Sequence, residues 1–202
     1  YTVTSTLEDN SIKKFNVSGT NYFNNQSRGW VGAVDLWVGN YNNVIVIEEY
    51  GWIHEYNSEG ELVFSFSISD VGADREGLLL LPQSVAINSE DQIIVADQGN
   101  KLLQFYKPTE FTNAVHTAFQ AYQDGDEELA QENWEYSLEY ATIFDLAHEG
   151  LGDAYVRQDN YEDALYHYQL ASYNEGISNT FWQIRQTWME QNLETVMLIL
   201  AI

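Results

Sequence analysis

Hydrophobic and polar residues alternate over the first half of the chain, and clusters of Asn, Gly, Asp and Ser interrupt the alternation at short intervals. Alternation with a period of two, carried by β-branched and aromatic residues, predicts short β-strands joined by turns. No helical period is present before residue 108. We therefore expect residues 1–108 to form an all-β domain.

The strand pattern of this region repeats along the chain. Residues 44–56 (VIVIEEYGWIHEY) align without a gap with residues 93–105 (IIVADQGNKLLQF) at an offset of 49, which places Tyr56 on Phe105. An earlier copy lies at residues 1–15. Repeats of roughly 40 to 50 residues made of short antiparallel strands are typical of β-propellers, in which each repeat forms a four-stranded blade. The pattern predicts a partial β-propeller of about two and a half blades.

The middle copy has the pattern of a complete blade, with strands expected at 34–38, 43–49, 52–57 and 62–68. The first copy lacks its innermost strand, and the last copy lacks an outer strand. Because blades bury their faces against neighbouring blades, we expect the missing blades to come from the rest of a longer protein. We also expect the strand edge around Leu102 to Tyr106 to be unpaired or covered by another segment.

After Pro108 the pattern becomes helical, and Ala, Glu and Leu become more frequent. Residues 147–176 (AHEGLGDAYVRQDNYEDALYHYQLASYNEG) place small and aromatic residues at the spacing of the tetratricopeptide consensus, and related positions recur 34 residues upstream and downstream. Residues 109–194 are therefore predicted to form a tetratricopeptide-like helical stack. Its five helices are expected at about 112–124, 126–140, 145–158, 161–174 and 178–193.

A groove on this stack is the candidate binding site. The first helix of each repeat lines the concave face of such a stack, and extended concave faces are the surfaces that these proteins use for binding. An aromatic and acidic groove suits a partner segment that carries Lys or Arg, because its cations can lie over the rings and beside the carboxylates. The alternative is that these are ordinary solvated residues. The predicted groove consists of Phe119, Tyr122, Glu149, Asp153, Arg157, Gln183 and Thr187.

The last eight residues, 195–202 (TVMLILAI), form an unbroken apolar run. Trp182, Arg185 and Trp188 precede it, and aromatic and basic residues at such a place are typical of a membrane interface. We interpret this run as the start of a transmembrane segment that continues beyond Ile202. The alternative is a final helix that packs on its neighbour.

Charge limits the classes of partner. The 202 residues include 31 acidic and 8 basic side chains, which gives a net charge of −23. Such a chain repels the phosphate backbone of nucleic acids and disfavours adsorption to an anionic membrane surface. The chain contains no cysteine, which excludes disulfides, thiolate metal sites and a cysteine nucleophile.

The sequence resembles a group of bacterial membrane proteins that join an NHL-type β-propeller to a tetratricopeptide module and a Yip-like membrane domain. The resemblance implies a membrane-anchored protein on the extracytoplasmic side of the cytoplasmic membrane, in a Gram-positive cell. It also implies an association with carbohydrate-type ABC importers. The stretches that carry the resemblance are YTVTSTLEDNSIKKFNVSG (1–19), FYKPTEF (105–111), GLGDAYVRQDNYEDALYHY (150–168) and FWQIRQTWMEQN (181–192).

Sequence motifs for catalysis are lacking, and we expect neither catalytic residues nor a metal or other cofactor. The four histidines do not have a metal-ligand spacing, and the chain has no GxSxG, P-loop or GxGxxG motif. Asp35, which aligns with Ser84, is a candidate carboxylate for a metal on a propeller axis. Because catalytic motifs and a metal-ligand spacing of the histidines are lacking, we predict a scaffold that binds other proteins. The alternatives are a propeller enzyme of the lactonase or hydrolase type and a carbohydrate-binding propeller.

Overall fold

The computed structural model describes residues 2–3, 12–21, 32–67 and 77–200, with side chains described for 12–21, 32–67 and 77–193. The chain divides into two compact units, Tyr1–Pro108 and Thr109–Ile202. Antiparallel β-sheets form the first unit, and α-helices form the second. The prediction of a β region followed by an α region is confirmed at this level.

The first unit contains three antiparallel sheets within its described residues, each with its strands in chain order. The first sheet has two strands, β1 (Thr2–Val3) and β2 (Ile12–Lys13). The second has four, namely β3 (Ala33–Val38), β4 (Val44–Glu48), β5 (Ile53–Tyr56) and β6 (Leu62–Phe66). The third has three, namely β7 (Pro82–Ile87), β8 (Ile93–Asp97) and β9 (Leu102–Tyr106).

Strand β4 is buried on both faces, which explains its unbroken apolar sequence. Ile45 and Ile47 lie in one core cluster with β7 and β8 residues, whereas Val44 and Val46 lie in a second cluster with Ile12 of β2. These four β4 side chains are fully buried. Successive side chains of a strand point to opposite faces, so two buried faces require an apolar residue at every position.

The second and third sheets repeat the same backbone register. Leu36 pairs with Val46 in the second sheet, and the residues 49 positions later, Val85 and Val95, pair in the third. Both sheets also have a register irregularity at the start of the first strand, between Ala33 and Asp35 and between Pro82 and Ser84. The 49-residue repeat is therefore a structural repeat over the first two strands of each sheet.

The gapless alignment is wrong in the third strand of each sheet. Val44 pairs with Tyr56, but its equivalent Ile93 pairs with Tyr106 and not with Phe105. Five residues separate the paired Ile47 and Ile53, whereas six separate the equivalent pair Ala96 and Leu103. Lys101, within the longer connection, has a φ of 58°. Because one residue of shift moves every side chain to the opposite face, Tyr106 packs on the core and Phe105 is 57% exposed.

Asp97 stabilises the turn between β8 and β9. Its Oδ1 accepts hydrogen bonds from the backbone N–H groups of Leu81 at 2.9 Å and Gly99 at 3.0 Å, and its Oδ2 accepts one from Leu80 N–H at 2.9 Å. Asn100 donates to it from both backbone and side chain. This buried carboxylate thus joins the chain that enters β7 to the end of β8.

Within the described residues, strand β9 forms one edge of its sheet. Its apolar side chains Leu102, Leu103 and Phe105 are exposed. Strand β8, which pairs with β9, differs from β4 in that only alternate residues are buried, Ile93 and Val95 among them. An edge with this composition is a surface on which a further strand or sheet would bury apolar area.

The second unit consists of five helices within the described residues. They are α1 (Glu110–Asp124), α2 (Glu127–Tyr140), α3 (Asp145–Arg157), α4 (Tyr161–Leu170) and α5 (Asn174–Leu200). Thr109, Asp126 and Asn160 cap the starts of α1, α2 and α4 with side-chain oxygens, as residues of these types do. Each helix contacts the next one along the chain, and α3 also contacts α5.

Close helix contacts depend on glycines. A Cβ on Gly150 of α3 would lie within 2.8 Å of three ring atoms of Trp134 on α2. A Cβ on Gly152 would meet the ring of Tyr168 on α4 in the same way. The missing side chains let these two aromatic rings lie directly against the α3 backbone.

Two helix boundaries differ from the predictions. Helix α4 ends at Leu170 and not near 174, because Ser172 adopts a φ of 55° and Tyr173 N–H turns back to the carbonyl of Tyr168. Helix α5 then begins at Asn174 and continues to Leu200. Most of the predicted transmembrane start, 195–202, therefore has helical backbone, but its side chains lie outside the described residues. Within the part of the chain that the structure describes, none of the helices is long and apolar enough to cross a membrane.

Candidate functional site

The predicted groove is partly a packing region. Phe119 of α1 is half-buried, and its ring meets the buried ring of Trp134 edge-on, with centroids 4.9 Å apart and planes at 85°. This geometry is the favoured one for two aromatic rings. Phe119 therefore contributes to the contact between α1 and α2.

The structure brings Tyr122 and Arg157 together. The Arg157 guanidinium carbon lies 4.4 Å from the centre of the Tyr122 ring, and Arg157 Nη1 lies 2.8 Å from Glu127 Oε1. The hydrogen bond to Glu127 is the main reason why the pKa of Arg157 is raised. The chain's own arginine thus occupies the place over Tyr122 that the sequence analysis assigned to a cation of the partner.

The remaining groove residues differ in their surroundings. Asp153 is half-buried, and its Oδ1 accepts a hydrogen bond of 2.5 Å from the hydroxyl of Tyr168. Burial, followed by this bond to Asp153, raises the pKa of Tyr168, so the hydroxyl stays protonated. Glu149 is half-buried on α3, whereas Gln183 and Thr187 are exposed on α5.

A second surface of the helical unit is an open cleft of about 580 Å³ on α1 and α2. Three carboxylates, Glu132, Glu135 and Glu139, lie along it, and Leu129 and Tyr136 add apolar and aromatic surface. Leu129 and Tyr136 are each more than one-third exposed. We call this surface the acidic cleft; it is lined by Thr117, Leu129, Glu132, Asn133, Glu135, Tyr136 and Glu139.

A hydrogen-bond chain joins Tyr136 of the acidic cleft to helix α1. The hydroxyls of Tyr136 and Tyr140 lie 2.8 Å apart, and the Tyr140 hydroxyl donates to Glu110 Oε2 at 2.7 Å. The bonds to Tyr136 and then to Glu110 raise the pKa of Tyr140. These contacts fix the orientation of the Tyr136 ring beside the carboxylates.

The sequence contains a signal for the acidic cleft that the groove prediction did not use. Glu128, Glu132, Glu135 and Glu139 follow one another at spacings of four, three and four residues. On a helix this spacing places all four carboxylates on one face. Four like charges on one helix face repel each other, and a cationic neighbour relieves this repulsion.

Asp35, the candidate carboxylate of a propeller axis, has a structural role. Its Oδ2 accepts hydrogen bonds from the Ser84 hydroxyl at 2.8 Å and from Val85 N–H at 3.0 Å. Its Oδ1 accepts one from Leu36 N–H at 2.9 Å. Asp35 therefore links the first strands of the second and third sheets to each other.

Two histidines meet between α3 and α4. His148 Nδ1 lies 3.0 Å from His167 Nδ1, and His148 Nε2 lies 3.3 Å from the carbonyl oxygen of Thr142. A carbonyl can only accept, so Nε2 of His148 carries a proton and its Nδ1 accepts from His167 when His148 is neutral. Burial and the proximity of His148 lower the pKa of His167, although Asp163 and Glu135 act in the opposite direction.

We expect His167 to make the helical unit sensitive to mild acid. Its folded-state pKa lies below the ordinary value of 6.5, so the unfolded chain takes up the proton first. Its contribution to stability is complete above about pH 6.5 and declines as the pH falls through 6.5 toward the folded-state pKa. Urea unfolding of His167→Gln, followed by circular dichroism at pH 7.5 and 5, should show a smaller loss of stability than the wild type shows. An equal loss in both proteins would contradict this role.

His54 belongs to the packing of the second sheet. Burial lowers its pKa to about 4, its Nδ1 lies 2.6 Å from Ser65 Oγ, and its ring stacks on Trp52. Within the described residues, no three His, Cys, Asp or Glu side chains come together in a group that would hold a metal ion. Comparison with known proteins finds no match to a protein-family model or to a curated protein.

Proposed function

We propose that this chain is a non-enzymatic interaction module whose helical unit binds a cationic segment of a partner protein. The main support is the charge of that unit. Residues 109–202 contain 17 acidic and 2 basic side chains, a balance of −15 from a total of −23. Arg157 is paired with Glu127, and Arg185 lies over the ring of Trp182, so both bases already have intramolecular neighbours.

The acidic cleft is the surface that best fits such a segment. Its three glutamates supply charge for Lys or Arg side chains, and Leu129 and Tyr136 supply surface for their aliphatic stems. Complementary charge accelerates association and selects among partners more than it raises affinity. The binding should therefore be of moderate affinity, fast and sensitive to salt. The predicted groove is a second candidate surface for the same partner, with Asp153 and Glu149 as its carboxylates.

The wider setting of the module is also a proposal. The repeated register of the second and third sheets supports assignment of the first unit as the last blades of a β-propeller. The pairwise contacts of consecutive helices support a tetratricopeptide-like stack for the second unit. We propose that a segment after Ile202 anchors the protein on the extracytoplasmic face of a Gram-positive membrane, and that its partner is a membrane transporter such as a carbohydrate-type ABC importer.

A short basic peptide tests this function on the full chain. The probe is a fluorescein-labelled 12-residue peptide of Lys, Gly and Ser, with a central Pro that prevents helix formation. We expect saturable binding by fluorescence anisotropy that weakens with added salt, because screening reduces interactions between exposed charges. The triple variant Glu132→Gln, Glu135→Gln, Glu139→Gln should bind about tenfold more weakly, since each exposed charge pair contributes roughly 0.2–1 kcal/mol.

A second triple variant controls for net charge alone. Glu59, Glu90 and Glu162 are exposed residues outside the acidic cleft, and their replacement by Gln removes the same total charge. All six glutamates are exposed and glutamine has nearly the same size and shape, so both triple variants should fold as the wild type does. Equal affinity of the two variants would show that the cleft is not the binding surface. Absence of binding to the wild type would contradict the proposed function.

A further inference from the structure

Helix α5 carries an exposed apolar face that none of the contacts described above covers. Phe181, Trp182 and Trp188 are each more than half exposed, and so is Leu193. Their spacings place them on one side of the helix, together with Met189 and Arg185. The opposite side is the packed one: Thr180 is buried, and a Cβ on Gly176 would meet Tyr168 of α4. We call this surface the α5 aromatic face; it consists of Phe181, Trp182, Arg185, Trp188, Met189 and Leu193.

Helix α3 shows what covers the corresponding face elsewhere in the same unit. His148 and Tyr155 of α3 both contact the ring of His167 on α4, with centroids 5.2 Å and 5.4 Å apart. The 34-residue repeat places Trp182 and Met189 of α5 at these two positions. On α3 the next helix, α4, covers the positions, whereas on α5 they are exposed. The shape that fits the face is therefore a helix.

The covering helix must lie farther from α5 than α4 lies from α3. Gly152 allows the ring of Tyr168 to rest on the α3 backbone, but its counterpart on α5 is Gln186. The covering helix must therefore contact α5 through the large side chains of the face, above all the rings of Phe181, Trp182 and Trp188. Exposed tryptophans of this kind often supply most of the binding energy at an interface.

Charge decides which helix fits. A second copy of this chain would bring another net charge of −23 to the face, and the resulting repulsion opposes self-association. On α5 itself, Glu175, Glu190 and Glu194 outnumber Arg185, the charged residue of the face. A partner helix with lysines or arginines beside its apolar side is therefore attracted both by α5 and by the −15 of the helical unit. We infer that the α5 aromatic face docks an amphipathic helix of a partner protein with basic residues flanking its apolar side. The inference rests on the proposed function for the sign of the partner's charge.

The test uses the full chain and a designed peptide. The probe is a labelled 18-residue peptide. Leu recurs at the i, i+3, i+4 and i+7 spacing that forms one face of a helix, and Lys occupies most of the other positions. We expect it to bind with a blue shift of the tryptophan fluorescence, as Trp182 and Trp188 leave water. The double variant Trp182→Ala, Trp188→Ala should weaken binding by about tenfold or more, which is the usual cost of losing interface tryptophans.

Two controls make the result specific. The double variant Ile143→Ala, Leu170→Ala removes exposed apolar side chains outside the face, and its affinity should stay within about twofold of the wild type. A peptide of the same composition with Leu distributed around the helix should bind at least about tenfold more weakly than the amphipathic one. All variants should keep the circular dichroism of the wild type, because the replaced side chains are exposed.

Several results would overturn the inference. One is that the tryptophan double variant binds the amphipathic peptide as tightly as the control double variant does. Another is that the peptide with Leu distributed around the helix binds as tightly as the amphipathic one. A third is that the chain associates with itself and the tryptophan substitutions abolish this association. Binding to phosphatidylcholine vesicles through the same tryptophans, without competition by the peptide, would assign the face to a lipid surface and equally overturn it. If the proline-containing Lys peptide still binds and depends on the acidic cleft, the proposed function stands while this inference fails. If neither peptide binds, both fail.

Discussion

Replacement of Trp134 by alanine should lower the free energy of unfolding of the helical unit by about 3–5 kcal/mol, the usual cost of removing a large buried aromatic ring. Trp134 is buried, meets Phe119 edge-on at 4.9 Å and lies on Gly150 of α3. The substitution leaves a cavity where three helices meet. Urea unfolding of the full chain, followed by circular dichroism at 222 nm, measures the loss.

Trp182→Ala is the matched control, because it makes the same chemical change on the same unit at a side chain that is 58% exposed. We expect its unfolding free energy to stay within about 0.5 kcal/mol of the wild type, as is usual for surface substitutions. The two tryptophans would then separate in function: Trp134 for folding and Trp182 for partner binding. Equal loss of stability in the two variants would contradict the assignment of Trp134 to the core and of Trp182 to the α5 aromatic face.

Asp97→Asn should lower the free energy of unfolding of the β unit by about 3 kcal/mol. The carboxylate accepts hydrogen bonds from the backbone N–H groups of Leu80, Leu81, Gly99 and Asn100. An amide replaces one acceptor oxygen by a donor, which leaves buried N–H groups unpaired, at roughly 1–3 kcal/mol for each group. Asp97→Ala removes both acceptors and should cost about 3–5 kcal/mol.

The pH dependence of this effect has a defined sign. Burial acts to raise the pKa of Asp97, but hydrogen bonds from the backbone of Leu80, Leu81 and Asn100 outweigh it and lower the pKa below its ordinary value. The advantage of the wild type over Asp97→Asn should therefore be complete above about pH 4 and decline as the pH falls toward the folded-state pKa. Thermal unfolding of both proteins at pH 7 and pH 3 measures the difference.

Asp91→Asn provides the control for this experiment. Asp91 lies in the turn before β8 with a φ of 59°, a conformation that asparagine tolerates well. We expect a change of less than about 0.5 kcal/mol. If Asp91→Asn and Asp97→Asn lose similar stability, the hydrogen bonds of Asp97 do not have the role assigned to them.

Strand periodicity and the 49-residue repeat predicted the β region well because the same pairing recurs in two sheets. The error at Phe105 has a local cause. Sequence comparison does not detect one additional residue in the connection before β9, because Leu102 and Leu103 are both apolar and either fits the same position of the repeat. Only the backbone pairing of Ile93 with Tyr106 reveals which face each residue occupies.

The helical unit shows a different limit. Capping by Asp126 and Asn160 was predictable from the sequence, because a cap depends on residues close in the chain. The contact of Arg157 with Tyr122 was not, because it joins residues 35 positions apart whose side chains alone decide whether they meet. The acidic cleft lies between these cases, since the spacing of its glutamates is visible in the sequence but the cleft itself depends on how α1 packs on α2.

The most direct test of the account is to locate where a basic segment binds. Titration of the isotopically labelled full chain with the proline-containing Lys peptide, followed by amide ¹H–¹⁵N spectra, reports each backbone position separately. The account predicts shifts concentrated at residue 117 and at residues 129–139, which line the acidic cleft. Shifts confined to the β unit, or unchanged spectra at a saturating excess of peptide, would contradict the claim that the helical unit binds a cationic partner.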